Sequence, residues 1–317
     1  MDAHEAIGTA TAALRFAVRG RGIRQILDAH LAWLEHRQGG ARADLSEATL
    51  NDLSLENADL RHALIRSSSL LEAGLRGCDL SGADLQFVDL RKSVLEEVNL
   101  GSAELIEVKL DFAWLKEANL SEARLRECTL RKANLSQCRA LEISLQQCDL
   151  SGSEWRHAAA HHARLFSCTA TGANLSGAVL YGARLQLCRF HACLGNGVNF
   201  SSAKLMDCRF TDSELNHMKF QGAELSGCHF DGASLGDADF RGAQLRNVNF
   251  SGAFLAGARF GGARLAGIDF REANLQGARE LTSEQLTQAL TSAETTLPNG
   301  TAGPYFRFSG AEKPAGR

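Results

Sequence analysis

The chain lacks long hydrophobic runs and any marked excess of charge. No uninterrupted apolar stretch among its 317 residues reaches the length of a signal peptide or of a membrane-spanning helix, so we expect a cytoplasmic protein. The formal net charge is only −3, whereas a nucleic-acid-binding domain would carry clustered lysine and arginine. We therefore expect no direct contact with nucleic acid or with a membrane.

Catalytic motifs are missing too. The sequence contains no glycine-rich phosphate loop, no nucleophile elbow and no paired acid–base set. Nothing in it indicates a cofactor, and we expect that the protein is not an enzyme.

What the sequence does contain is a five-residue repeat from Leu45 to Leu275. Every fifth position in this stretch holds a residue typical of protein interiors: of 47 such central positions, 32 are Leu, nine are Phe and one is Ile65. A compact residue stands two positions earlier. Since a period of five fits neither a helix nor a simple strand, each unit must combine a short extended piece with a turn. The turn often holds glycine, as at Gly222 and Gly232.

Phenylalanine sets the number of units in one coil. From Phe190 to Phe270 it alternates with Leu at the central positions, which gives a second period of ten residues. If like residues stack on like, a coil needs an even number of units, and two units would enclose no interior. We predict four units per coil, with Phe on two opposite walls and Leu on the other two. At roughly 4.8 Å per coil, about twelve coils make a rod of about 57 Å.

All nine cysteines stand two residues before a central position, where other units have Ala, Val or Ser. They are Cys78, Cys128, Cys138, Cys148, Cys168, Cys188, Cys193, Cys208 and Cys228. Free cysteine behaves as a small hydrophobic residue, so we interpret all nine as packing residues and not as metal ligands or disulfides. His157, His161 and His162 could bind a metal if they lay on a helix. The coil instead distributes them between one wall and its two corners, and we expect no metal site.

The segments outside the repeat are predicted to cap it. Residues 1–40 should form a helical cap, because an apolar stripe that includes Ile23 recurs at helical spacing and ends before Gly39. The repeat then occupies residues 41–279. Residues 280–300 should form a short capping helix that begins with a capping box of Thr282 and Gln285. We expect residues 301–317 to be a flexible tail.

The middle of the repeat departs from Leu and Phe at five central positions, namely Ala140, Trp155, Ala160, Ala170 and Gly195. Trp155 beside Ala160 indicates an exchange of volume within the core. At Gly195 the expected Leu is displaced by one position, to Leu194, where it would point outward. We expect a local irregularity of the coil there.

The units resemble those of the pentapeptide-repeat proteins. Ala83-Asp84-Leu85, Ala118-Asn119-Leu120 and Ala273-Asn274-Leu275 carry the resemblance, which extends over residues 43–279. It implies an all-β solenoid, a right-handed quadrilateral parallel β-helix with helices capping the N-terminus and a short helix at the C-terminus. Some members of the family bind DNA gyrase as mimics of duplex DNA and protect it from inhibitors, and related repeats occur in bacterial secretion systems.

Outward side chains are the part of the sequence that the repeat does not constrain. An apolar stripe with arginine beside it is typical of interfaces, although scattered apolar surface residues are also common. The candidate interaction surface consists of Arg164, Phe166, Arg184, Leu187, Lys204 and Met206 on one wall, Phe87 and Ile106 on the same wall, and Phe112 and Trp114 at another corner.

Charge varies along the repeat. Residues 41–100 hold eleven acidic and six basic side chains, whereas residues 151–200 hold one acidic side chain and four arginines. The basic middle opposes DNA mimicry, which needs negative charge throughout. We expect a non-enzymatic, rod-shaped scaffold that binds another protein, or itself as a homodimer, through its side walls. The alternatives are a DNA mimic that binds DNA gyrase or another topoisomerase, and an adaptor or effector-associated protein of a bacterial secretion system.

Overall fold

The computed structural model describes residues 17–315, which divide into two compact units at Ser144 and Leu145. Part of the predicted helical cap, residues 1–16, lies outside the described residues. The N-terminal unit begins with strands β1 (Ala17–Val18) and β2 (Arg21–Gly22), followed by helix α1 (Ile23–Leu34). Neither helix of the described residues is long and hydrophobic enough to span a membrane.

Residues 17–22 form an antiparallel hairpin, so the prediction of helix throughout the cap is wrong here. Arg19 has φ 49° and Gly20 φ 78°, and positive φ at both central residues defines the tight turn that suits a hairpin. Helix α1 lies where the apolar stripe predicts a helix. It buries Ile23, Ile26 and His30.

One wall of the repeat consists of three-residue strands spaced twenty residues apart. In the N-terminal unit these are β3 (Leu64–Arg66), β4 (Asp84–Gln86), β5 (Glu104–Ile106) and β6 (Arg124–Arg126). They pair in parallel, with Leu85 opposite Ile65 and Leu105. Single bridges with the same offset form the other walls, as between Ser69 and Asp89 or Gly74 and Val94. Four units per coil are therefore confirmed.

The C-terminal unit repeats this arrangement. After β7 (Ser144–Gln146), at the boundary, its strands are β8 (Arg164–Phe166), β9 (Arg184–Gln186), β10 (Lys204–Met206), β11 (Glu224–Ser226), β12 (Gln244–Arg246) and β13 (Arg264–Ala266). The described residues thus contain eleven strands of this wall, slightly fewer than the prediction of about twelve coils. We call the wall that carries these strands the strand wall.

Phenylalanine fills the core of the C-terminal unit as predicted. Phe190, Phe210, Phe230, Phe250 and Phe270 stack with ring centroids 4.7–5.6 Å apart. A second ladder from Phe200 to Phe260 stacks at 5.0–5.7 Å. The two ladders meet edge to face at 5.7–6.2 Å, a favourable arrangement for aromatic rings.

The substituted central positions behave in two ways. Trp155 is buried, and its Nε1 donates to Ser153 Oγ at 2.9 Å, while Ala140, Ala160 and Ala170 are also buried. The exchange of volume between Trp155 and Ala160 stays a prediction. The irregularity predicted at Gly195 is absent. Gly195 N–H donates to the Glu214 carbonyl at 2.7 Å and keeps the coil in register. Leu194 simply points outward, and Leu215 occupies the space beside Gly195.

The C-terminal cap is more ordered than predicted. Helix α2 (Ser283–Gln288) begins at the capping box of Thr282 and Gln285, which is confirmed. Within the predicted flexible tail, Tyr305 is held in place by hydrogen bonds. The hydroxyl of Tyr305 donates to Ser283 Oγ at 2.7 Å, and its backbone N–H donates to Thr291 Oγ1 at 3.0 Å. These contacts hold the tail against the cap.

The third outward residue of nearly every unit has a positive φ. Glu97, Glu122 and Gln137 lie between 59° and 60°, and Gly222 lies at 65°. Glycine adopts this left-handed conformation freely, whereas a residue with a Cβ is strained there. Each non-glycine corner therefore destabilises the coil slightly.

We predict that Gln137→Gly raises the free energy of unfolding by about 0.5–1 kcal/mol, because Gln137 is exposed at φ 60° and its side chain is not needed for packing. Chemical denaturation measures the change. Gln137→Ala is the control, since it shortens the side chain but keeps the Cβ. An equal rise in the free energy of unfolding for both variants would contradict the explanation by backbone strain.

His30 makes the cap sensitive to acid. The ring is fully buried, and its Nδ1 accepts a hydrogen bond from the Ala43 N–H at 3.0 Å. Burial lowers the pKa of His30 below 6.5; the charge of Asp59 and the backbone of Arg61 oppose this shift, whereas the charges of Arg42 and Arg61 add to it. Because the unfolded chain binds the proton more readily, the contribution of neutral His30 is complete above the unfolded pKa and decreases as the pH falls below it.

We predict that lowering the pH from about 7.5 to about 5.5 destabilises the wild-type protein more than a His30→Gln variant, whose amide oxygen can accept the Ala43 N–H without titrating. Thermal unfolding at several pH values measures the difference. Parallel pH profiles for the two proteins would exclude His30 as the titrating group.

Candidate interaction surface

Three successive strands present the predicted basic and apolar residues together. Along the strand wall, Arg164, Arg184 and Lys204 are paired in register. On the other side of the central Leu residues, Phe166 and Met206 lie in a second row, with Gln186 between them. Lys204 contacts Glu224 at 2.9 Å, but Arg164 and Arg184 form no ion pair with any described residue.

Leu187 stands at the corner that follows this row. Its backbone N–H donates to the Met206 carbonyl at 3.0 Å, which fixes Leu187 beside the next coil. The side chain is 45% exposed, compared with 40% for Phe166 and 50% for Met206. Phe166, Leu187 and Met206 are thus three exposed apolar side chains on successive coils of one wall and its corner. Together with Arg164, Arg184 and Lys204 we call them the Leu187 site.

The residue type at its corner makes Leu187 unusual. A positive φ like its 56° occurs at nearly every corner of the repeat, and its side chain is exposed. The same corner holds Ser167 in the preceding coil and Asp207 and Gly227 in the following ones. Leu187 is therefore a large apolar side chain at a corner where the neighbouring coils have small or polar residues.

A groove of about 310 Å³ lies beside Leu187. It continues from the corner onto the adjacent wall, where Arg189 and Arg209 are paired in register. Its lining comprises Ser167, Leu187, Arg189, Asp207, Arg209, Gly227 and His229. The sequence argument missed Arg189 and Arg209 because it assigned residues to separate walls. The first outward residue of each wall lies next to the corner that ends the preceding wall. The five-residue spacing alone could therefore have placed Arg189 next to Leu187.

The N-terminal unit contains the other predicted surface residues. Phe87 is a 53% exposed corner residue at φ 57°, and its N–H donates to the Ile106 carbonyl at 2.9 Å. At a different corner, Phe112 is 49% exposed, with Lys132 Nζ lying 5.7 Å from its ring centroid. Trp114 is 52% exposed and pairs with Val94. These four residues therefore form two separate groups in their unit.

Other exposed apolar residues lie on different walls of the C-terminal unit. Tyr181 contacts the rings of His161 and His162 at centroid distances of 6.4 and 5.8 Å. Leu194 and Phe254 are 39% and 45% exposed. Their outward positions follow directly from the phase of the repeat.

The predicted histidines and cysteines are placed as the coil requires. His157 lies at a corner over Gly177, away from the His161, His162 and Tyr181 rings. Within residues 17–315, no group of three or more His, Cys, Asp or Glu side chains is arranged to hold a metal ion. All nine cysteines are buried, as their constant place in the repeat predicts. Burial raises the pKa of Cys78 to about 11 and of Cys138 to about 12.

We predict that a thiol reagent leaves the native protein almost unmodified and modifies nine cysteines after denaturation, because every thiol is buried and out of reach of the reagent. A Ser226→Cys variant, with its new thiol on the exposed strand wall, is the positive control. Rapid modification of the native wild-type protein would contradict the buried placement.

Comparison with known families agrees with this architecture. The model of the pentapeptide repeats matches residues 43–82, 60–96, 103–139, 143–180, 223–262 and 253–279, and the model of the pentapeptide repeat region matches residues 163–240. These matches cover well over half of the chain, which therefore belongs to the pentapeptide repeat family. None of the curated proteins compared with the chain matches it.

Solved structures of the family give weaker likenesses. HetL, a protein involved in heterocyst differentiation regulation from the cyanobacterium Nostoc sp. Strain PCC 7120, is 27% identical over 74% of this chain and 94% of its own, with a TM-score of 0.31. QnrB1, a plasmid-mediated fluoroquinolone resistance protein, is 18% identical over 68% of this chain and 91% of its own, with a TM-score of 0.25. Rfr23 from the cyanobacterium Cyanothece 51142 is 31% identical over 32% of this chain and 58% of its own, with a TM-score of 0.19. Because all three TM-scores are low, no property of these proteins is transferred to this chain.

Proposed function

We propose that the protein is a non-enzymatic scaffold that binds another protein through the Leu187 site. The observation that carries the proposal is Leu187 itself, an exposed leucine at φ 56° on a corner where other coils have Ser167 or Gly227. Serine or glycine in place of Leu187 would expose less apolar surface. Contact with a partner would bury the leucine and so offset its unfavourable position.

Charge supports the same proposal. Arg164 and Arg184 are adjacent in register and lack acidic partners among the described residues, so their charges repel each other in the free protein. An acidic partner surface would relieve this repulsion. Aromatic residues, methionine and arginine, here Phe166, Met206 and Arg184, are the residue types that are enriched in protein–protein interfaces.

The alternative, a mimic of duplex DNA that binds a topoisomerase, is less favoured. Mimicry requires a continuous negative surface, whereas the ladder of Arg164 and Arg184 is positive. Gyrase supercoiling assayed with and without the protein tests this alternative directly. Inhibition of gyrase, or its protection from an inhibitor, would favour mimicry over the proposal.

We predict that a triple variant, Phe166→Asp, Leu187→Asp and Met206→Asp, remains folded and loses its protein partner, with affinity falling about 100-fold or more. The side chains point outward, so the core is unaffected. Affinity capture from a lysate of the source cells, with the wild-type and variant chains as bait, identifies the partner. Titration of the purified partner then measures the change.

The matched control is Tyr181→Asp, Leu194→Asp and Phe254→Asp, which replaces three exposed apolar side chains on other walls of the same unit. Circular dichroism and thermal unfolding check that both variants fold. Equal retention of the partner by wild-type, triple variant and control would place the binding surface elsewhere.

A further inference from the structure

The C-terminal segment carries the two most exposed large hydrophobic side chains of the described residues. Phe306 and Phe308 are 70% and 82% exposed, whereas the phenylalanines of the two core ladders are buried. Arg307 stands between them, and its guanidinium lies 4.9 Å from the centroid of the Phe308 ring. We call residues 306–308 the Phe308 turn. It lies outside the repeat, so the exposure of its side chains does not follow from the coil.

Both ends of the Phe308 turn are fixed to the C-terminal cap. Before the turn, the Tyr305 hydroxyl is bound to helix α2 and lies 2.9 Å from Glu312 Oε2. After the turn, Ala311 is buried, and its carbonyl accepts the Asn299 N–H at 3.2 Å. The two rings are therefore presented from a fixed base, which reduces the conformational entropy that a contact with them would cost.

The backbone of the turn does not favour phenylalanine. The Ser309 N–H donates to the Phe306 carbonyl at 3.1 Å and closes a four-residue turn, in which Phe308 is the third residue and has φ 65°. A positive φ at this position favours glycine or asparagine. The register of the coils does not impose the angle, since the turn lies outside the repeat. Neither burial nor backbone geometry explains a phenylalanine here, and an unfavourable conformation without such a cause indicates a functional role.

The side chains of the turn define what it can bind. Aromatic residues and arginine are enriched in protein–protein interfaces and among the residues that dominate binding energy. Arg307 forms no ion pair with any residue in the described part of the chain, and Glu312, the acidic residue nearest to it in the sequence, is bonded to Tyr305. A complementary surface therefore has an apolar pocket for the rings and a carboxylate for the guanidinium.

A membrane surface matches the turn less well. Glu284, in the first turn of helix α2, and Glu312, which follows the Phe308 turn, balance the charges of Arg307 and Lys313. Anionic lipids attract clusters of basic side chains, and no such cluster surrounds the turn among the described residues. A second copy docked turn against turn would bring two Arg307 side chains together. The occupant that fits these charges is a different protein.

We propose that the Phe308 turn inserts into an apolar pocket on a protein other than this chain, with a carboxylate at the rim of the pocket facing Arg307. Burial of the two rings stabilises this contact, and the pairing of Arg307 with the carboxylate orients it. The contact shares no residue with the Leu187 site, so the inference goes beyond the proposed function. It gives the scaffold a second contact, through which it holds another protein.

Site-specific photo-cross-linking with the full chain tests this contact. The photoreactive residue p-benzoylphenylalanine is incorporated in place of Phe308 in the source cells. Irradiation is expected to yield an adduct with another protein, which mass spectrometry identifies. The matched control carries the same photoreactive residue in place of Phe254, an exposed phenylalanine on a wall of the repeat, and should not yield that adduct.

The protein found in the adduct is then purified and titrated with variants of the chain. We expect Phe306→Ala with Phe308→Ala to weaken binding at least about tenfold, since both rings leave the pocket. Arg307→Glu should also weaken binding, by a larger factor at low salt than at high salt, because it places like charges together. Phe254→Ala should bind like the wild-type protein. Circular dichroism checks that all variants fold.

Support for the contact requires both the adduct at position 308 and the loss of affinity. The proposal is overturned by no adduct beyond that of the Phe254 control, by an adduct only with lipid or with a second copy of the chain, or by unchanged affinity of the double alanine variant. If position 308 yields no adduct but the Phe166, Leu187 and Met206 triple variant loses its partner, only the contact at the Phe308 turn is wrong and the proposed function stands.

Discussion

Parallel pairing at a fixed offset of twenty residues is the constraint on which each unit depends. The backbone of one coil donates to and accepts from the coils on either side, as at Leu85 between Ile65 and Leu105. A shift of one residue would break this pairing and turn the interior side chains outward. The backbone register therefore overrides local side-chain preference, and Leu194 shows this most clearly. The leucine is left exposed while Gly195 stays in the core position.

The same register determines which side chains lie next to each other. Each interior residue stacks on the residue twenty positions away, and where both are phenylalanine they form ladders with ring centroids as close as 4.7 Å. On the surface, the same offset places side chains of like charge next to each other unless the sign of the charge alternates from coil to coil. Arg184 next to Lys204 is such a repulsive pair, and it is therefore informative about binding in a way that a single surface arginine is not. Corners add a second source of strain, because a side chain with a Cβ must adopt a positive φ there.

Sequence reasoning predicted the coil and its core because both follow from periodicity. The alternation of Phe and Leu defined four walls, and the buried cysteines followed from their constant place in the unit. The hairpin at Arg19 and Gly20 could not be predicted in the same way, since it depends on two backbone angles that the surrounding apolar pattern does not encode. The fixed place of Tyr305 depends on hydrogen bonds to residues of the cap, which an isolated tail sequence does not reveal.

The candidate surface was only partly predictable. Position within the five-residue repeat was enough to place Phe166, Leu187 and Met206 on the surface. That Arg189 and Arg209 line the same groove as Leu187 is seen only in the structure. The strain at Leu187 required the backbone angle. Its interpretation as a binding residue is tested most directly by Leu187→Gly, measured for both stability and binding to the partner of the Leu187 site. We expect the free energy of unfolding to rise by about 1 kcal/mol while binding weakens, because glycine relieves the strain and removes the contact. Unchanged binding by Leu187→Gly would contradict the assignment of this corner to an interface.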